Sequence, residues 1–124
     1  MEIDMRLCLN ELLSSDALTN LFITLWAQLM GAPIYAKALS RATKKAIKNE
    51  FDIMINSAKH GGDSYDIDIN EVVDRVWNSI EWAERELLGD EYNVQDKLYE
   101  AFKTVRSIIW CYEARTMIDT DTIW

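Results

Sequence analysis

The stretch DALTNLFITLWAQLM, Asp16 to Met30, decides the fold class. Set out at about 100° per residue, Leu18, Leu21, Phe22, Leu25, Trp26, Leu29 and Met30 cover more than half of a helix circumference. Asn20, Thr24 and Gln28 fall one turn apart and leave a single narrow polar stripe. A helix this apolar belongs at the centre of a fold, touched on several sides. Ser15 or Asp16 can cap it, because either side chain accepts from the unpaired N–H groups of a first turn. The uncharged run from Ala17 to Ala36 carries Thr19, Asn20, Thr24, Gln28, Gly31 and Pro33. A membrane span needs about 20 predominantly apolar residues in unbroken helix, so this one reads as a buried core helix.

Further helices follow on the C-terminal side. Gly31-Ala32-Pro33 ends the first, and Pro33 suits the opening turn of the next because its missing N–H is not needed there. That helix is expected to run to about Lys59. Lys37, Arg41, Lys44, Lys45 and Lys48 share one face, with Leu39, Ala42, Ala46, Ile53 and Met54 opposite and Glu50 in local conflict on the apolar side. His60-Gly61-Gly62 is its stop. Asn70 is expected to cap a helix over 71–88 with Val72, Val76, Ile80, Ala83 and Leu87 inward, ended by Gly89. Asn93 is expected to cap the last helix, roughly 94–117, with Asp96 favourable in its first turn. Its main stripe is Val94, Leu98, Ala101, Phe102, Val105, Ile109 and Tyr112. Ile3, Met5, Leu7 and Leu9 alternate, as do Tyr65, Ile67 and Ile69. Residues 3–9 and 65–69 therefore fit a minor two-stranded ribbon, although 3–9 also fits a short helix, the reading preferred. The expectation is an all-α fold, a compact bundle of four to five helices in one domain over 1–124.

Composition agrees. Of 124 residues, 49% are apolar and 27% charged, so the chain has the apolar surface to offset ordering entropy. Four Gly and one Pro are too few for an all-β sandwich with its recurring turns. Thirteen basic against 21 acidic residues give a net charge of −8. Such a chain is repelled at long range by nucleic acid and anionic membranes and attracted to basic protein surfaces. Cys8 and Cys111 fit neither a metal knuckle nor a disulfide framework. They read as free thiols in a reducing cytoplasm, and the acidic start MEIDMRLCL lacks the basic region of an export signal.

Catalytic machinery is nearly absent from the residue inventory. His60 is the one histidine, so Ser–His–Asp, Cys–His, Glu-x-x-His and zinc arrangements lack parts. Asp66, Asp68 and Asn70 match the first three ligand positions of a calcium loop, but Glu71 stands where its glycine is required and Trp77 where its last glutamate is. Glu71-x-x-Asp74 and Glu81-x-x-Glu84 have the spacing of Mg²⁺-binding pairs in helical nucleotide pyrophosphohydrolases. Their order is reversed and both lie on one expected helix, so they are taken as chance spacing. No metal and no cofactor is expected.

Charge segregation is the strongest pattern. Residues 31–60 carry six basic and two acidic side chains, net +4, whereas 61–92 carry two basic and ten acidic ones, net −8. The preferred reading packs the basic helix beside the acidic one with partial neutralisation. A nucleic-acid helix over Lys37 to Lys48 is disfavoured because no aromatic residue interleaves it for base stacking. Among the aromatics, Trp82 projects from a polar face near Asn78, Arg85 and Glu86. Tyr99, Lys103, Arg106, Trp110 and Met117 form a second face on the last helix, and Trp124 stands in the tail. Trp, Tyr, Met and Arg are enriched in protein interfaces, where few anchors carry most of the energy.

These features point to a non-enzymatic inhibitor that blocks the basic surface of a larger protein, a nucleic-acid-binding effector being one such target. Asp74, Glu81, Trp82, Arg85, Tyr99, Arg106 and Trp110 are its expected contact residues. Phage anti-defence proteins, anti-CRISPRs among them, and bacterial immunity proteins share this profile of small size, negative charge and exposed aromatics. That is an analogy of type, carried by no motif. A DNA-like array of carboxylates on 61–92 is compatible with it. The alternatives are a homo-oligomeric assembly protein using the Tyr99–Trp110 face, for instance as a dimer, and a small Mg²⁺-dependent nucleotide hydrolase. No direct contact with nucleic acid or membrane is expected.

Overall fold

A computed structural model of the chain describes residues 14–31, 39–60 and 66–122, the side chains of Lys59 and of 111–122 excepted. Among the described residues the fold is all-α, with five helices and no strand: α1 Ser15–Met30, α2 Arg41–Lys59, α3 Ile69–Ser79, α4 Trp82–Leu88 and α5 Glu91–Thr122. The proposed ribbon is not formed on its described side. Residues 66–68 turn directly into α3, and Ile69 is the first helical residue. Residues 3–9 and Tyr65 lie outside the described residues, as do Pro33, Lys37, Cys8 and Trp124.

The caps of α1 and α3 fall one or two residues from where spacing puts them, but the helix expected from Pro33 to about Lys59 is not continuous: Leu39 and Ser40 are not helical, and α2 starts only at Arg41. Ser14, not Ser15 or Asp16, caps α1, its extended backbone letting Oγ accept from Ala17 N–H at 3.1 Å. Gly31 closes that helix at φ 72°, a left-handed geometry that costs glycine no Cβ clash. Ser40 caps α2, and Asp68, not Asn70, caps α3 by accepting from Asn70 N–H at 2.9 Å. Asn93 is no cap: α5 starts at Glu91, which places Glu91 rather than Asp96 in the first turn.

The buried stripes show which sequence faces meet. On α1 they are Leu18, Thr19, Phe22, Trp26 and Ala27; Leu21 and Leu29 stay exposed and Leu25 sits at the core edge. The helix therefore buries one broad side rather than its whole apolar surface. On α2 the buried face is Thr43, Ile47, Glu50, Phe51 and Met54. Ala42 and Ile53 are exposed, contrary to the sequence reading, because Ile47 and Phe51 set the orientation. On α5 the stripe Val94, Leu98, Ala101, Phe102, Val105 and Ile109 is buried as expected.

Packing makes a ring of four helices. α1 packs against α2 and α5, α3 packs against the same two, and α2 touches α5 across the middle. Three phenylalanines pin that middle. Phe22 of α1 lies 4.2 Å from Phe102 of α5 and 5.7 Å from Phe51 of α2, and Phe51 and Phe102 are 5.5 Å apart. Centroid spacings of this size bring contact energy beyond area burial.

The conflict at Glu50 resolves across the α2–α3 interface. Its carboxylate is only 6% exposed and takes two bonds from Arg75, Nε to Oε1 at 2.7 Å and Nη2 to Oε2 at 2.9 Å. The same bonds raise the guanidinium's pKa above its ordinary value.

Two stability outcomes follow. Phe22→Ala removes the ring shared by three helices and is expected to cost ~3–5 kcal/mol in urea denaturation, with Leu25→Ala costing less. Arg75→Met strands the Glu50 carboxylate and is expected to cost ~3 kcal/mol, whereas the double variant Glu50→Met, Arg75→Met recovers most of the loss. A double variant as unstable as the single one excludes this account.

Candidate protein-interaction surface

The stretch expected to form one helix over 71–88 is broken in two. Ile80 and Glu81 adopt extended backbone, ψ 127° and 153°, with neither glycine nor proline present. The last carbonyls of any helix lack intrahelical partners. Here Arg85 donates from Nε to Ile80 O at 2.9 Å and from Nη2 to Trp77 O at 2.8 Å, the latter carbonyl also accepting from Ile80 N–H at 3.1 Å. Glu84 anchors the same short helix on its other side. Its Oε1 accepts from Ser40 N–H at 3.2 Å and its Oε2 from the Thr43 hydroxyl at 3.0 Å. Ser40 Oγ in turn accepts from Thr43 N–H at 3.2 Å. The result is a capping box at the start of α2 whose carboxylate comes from a distant helix, where the helix dipole also favours negative charge.

The break changes which side chains face outward on α4. Val72, Val76 and Ile80 are buried as the pattern expects, joined by Val73 and Trp77. Beyond the break the phase slips: Glu84 and Leu88 turn inward, while Ala83 and Leu87, expected in the core, are exposed. Trp82 is left 78% exposed. Its ring is held from one side by Arg85, whose guanidinium carbon lies 5.2 Å from its centroid and 4.7 Å from that of the buried Trp77. Leu87 and Tyr92 are exposed at 60% and 79%, and the side chains of Glu81, Glu86, Asp90 and Glu91 are exposed with them. A groove between α3 and α5 continues the acidic surface, lined by Asn70, Asp74, Tyr92, Gln95, Asp96 and Tyr99.

The seven expected contact residues separate into different groups. Asp74, Glu81 and Trp82 are exposed. Arg85 is half-buried and spent on the helix break. Tyr99 is half-buried against the core, and Arg106, also half-buried, donates from Nη1 to Ile67 O at 3.1 Å. Trp110 is 41% exposed, but it lies 18 residues beyond Tyr92, hence ~27 Å along α5. It does not join the Trp82 surface. Leu87 and Tyr92 are the residues that pattern reading missed. Tyr92 shares the helical face of Tyr99 and Trp110, a signal hidden by starting the helix at Asn93.

The basic helix is not neutralised as expected. α2 does pack on α3, but the ion pair between them is Glu50–Arg75, of opposite sense to the segment charges. Lys48 pairs instead with Asp16 of α1 at 2.9 Å, which raises its pKa. Arg41, Lys44 and Lys45 are exposed and form no ion pair among the described residues. Among the described residues no three His, Cys, Asp or Glu side chains gather into a metal-binding group, and no helix is long and apolar enough to cross a membrane.

Compared with the models of known protein families, with curated proteins and with solved structures, the chain matches none.

Arg85→Met should free the Ile80 carbonyl, leave Trp77 O with only the Ile80 N–H, and cost ~1.5–3 kcal/mol, the range for bonds to a charged donor. Amide exchange over 82–88 should accelerate more than over α5. Arg85→Lys should recover little, because one ammonium cannot stack and span both carbonyls as a planar guanidinium does. Equal acceleration in α4 and α5 would show that Arg85 has no local role.

Proposed function

We propose that this chain is a non-enzymatic, acidic binding protein that occludes a basic surface of a larger protein, acting in the cytoplasm. Trp82 carries the proposal. A large indole left 78% exposed is held from one side by Arg85 and flanked in sequence by the exposed Glu81 and Glu86. An aromatic anchor with a polar rim is the anatomy of a protein-binding surface. Leu87 and Tyr92 are exposed apolar side chains of the same stretch of chain, and the exposed Glu81, Glu86, Asp90, Glu91 and Asp74 supply negative charge. The carboxylate array favours partners that present a cationic groove, as nucleic-acid-binding effectors do.

Charge and indole should separate kinetically. Long-range attraction acts on association rate and is screened by salt, whereas desolvated contact acts on dissociation. The chain is used as bait in its native host, with Trp82→Ala as the matched control, and retained proteins are identified by mass spectrometry. With the target in hand, Asp74→Lys, Glu81→Lys is expected to slow association and flatten its salt dependence. Trp82→Ala is expected to speed dissociation, at a cost of ~2 kcal/mol or more. Circular dichroism first establishes that both variants are folded. A target bound equally by wild type and both variants rejects this surface.

A further inference from the structure

The helix ring separates two grooves of opposite character. One runs between α1 and α2 and is lined by Asn20, Ile23, Thr24, Lys44, Lys45 and Lys48, with Asp16 at its edge. The other is the α3–α5 groove, where Asp74 and Asp96 stand among Asn70, Gln95 and two tyrosines. Since α1 and α3 each pack on both α2 and α5, they occupy opposite corners of the ring. The two grooves therefore open on opposite faces of the bundle.

Charge within the grooves is only partly compensated. Lys48 is held by Asp16, whereas Lys44 and Lys45 have no ion-pair partner among the described residues. Asp74 likewise has none there, and Asp96 meets only Lys97 at 3.9 Å. A two-fold pairing of copies would set lysines against lysines or carboxylates against carboxylates. A head-to-tail pairing sets the lysine groove of one copy against the carboxylate groove of the next, and this heterologous arrangement repeats without closing unless a rotation closes it.

We propose that the chain self-associates head to tail, the Lys44–Lys45 groove of one copy receiving the Asp74–Asp96 groove of the next. This goes beyond the binding function above: it shares Asp74 with that surface but does not use Trp82. The net charge of −8 opposes it at long range. Near physiological ionic strength the Debye length is about 8 Å, so that repulsion is screened more than contacts within the grooves.

Sedimentation velocity from micromolar to near-millimolar protein, at about 0.15 M ionic strength, tests it. Wild type is expected to gain mass with concentration. K44E/K45E and D74K/D96K each remove one groove, so each alone should stay monomeric. Their equimolar mixture restores opposite charge at both grooves and should associate again, whereas a mixture of K44Q/K45Q with D74N/D96N keeps one working groove of each kind and should stop at one-to-one dimers. Circular dichroism checks the fold, and the neutral variants K44Q/K45Q and D74N/D96N replace any charge-swapped variant that unfolds. Trp82→Ala should associate like wild type, which keeps failure here distinct from failure of the Trp82 surface. A wild type that stays monomeric throughout overturns the proposal, as does a single-groove variant that still polymerises or a mixture that does not pair. If wild type stays monomeric and instead retards duplex DNA through Lys44 and Lys45, the occupant is nucleic acid and the proposal falls.

Discussion

Phe22, Phe51 and Phe102 meet at centroid distances of 4.2–5.7 Å, and this one cluster ties α1, α2 and α5 together. Rings this large tolerate little sliding, because an interior packed to crystal-like density leaves no free volume for them. Once three helices are fixed, α3 has one slot left, against α2 and α5, and fills it with Val72, Val73, Val76 and Trp77. The ionisable groups drawn inside then sit where a partner is already placed. Glu50 finds Arg75 across the α2–α3 seam, and Glu84 finds the N-terminus of α2. A carboxylate buried at either point without those donors would cost far more than packing there returns.

The break at Ile80–Glu81 follows from the same economy of partners. A continuous helix over 71–88 would turn Ala83 and Leu87 inward and leave Glu84 at the edge. Breaking it exchanges Leu87 for Leu88 in the core, a nearly even trade of apolar area. What tips the balance is polar. Glu84 gains a backbone N–H and a hydroxyl at the start of α2, and Arg85 donates to Ile80 O and adds a second bond to Trp77 O. Bonds to charged groups contribute ~1.5–3 kcal/mol each, enough to compensate the intrahelical bonds forgone.

Much of the fold was legible because it rests on periodicity. The α5 stripe from Val94 to Ile109 and the stops at Gly31, His60 and Gly89 are written in residue types and local spacing. The α2 face was not, since Ala42 and Ile53 look as core-like as Ile47 and Phe51 until the helix has neighbours. The break was not legible either: its cause is Ser40 and Thr43, more than forty positions away from Glu84 in the chain. For the same reason Arg85 read as an interface residue. Its type and its helix are those of a binding arginine, and only the placement of two carbonyls shows that it also holds the helix break. Trp82 could be read correctly because its exposure depends on flanking charges, a local property. Trp110 shows the limit: the sequence leaves open whether a neighbour covers it, and it is exposed yet too far along α5 to join the same surface.

On the proposed reading, Arg85 would link structure to binding. An exposed indole free to rotate would lose side-chain entropy on docking, ~0.5–1.5 kcal/mol for an immobilised side chain. Stacked on a guanidinium that is itself anchored at two carbonyls, Trp82 has already lost part of that freedom during folding. On the same reading the exposed carboxylates of this stretch would bias what it meets. Two copies approaching through their Trp82 patches would bring Glu81, Glu86, Asp90 and Glu91 against one another, so like-charge repulsion keeps the patch from pairing with itself. A basic partner meets no such barrier. Discrimination by repulsion of the wrong surface is as effective as attraction to the right one, and it allows an acidic protein to carry a large exposed aromatic without aggregating through it.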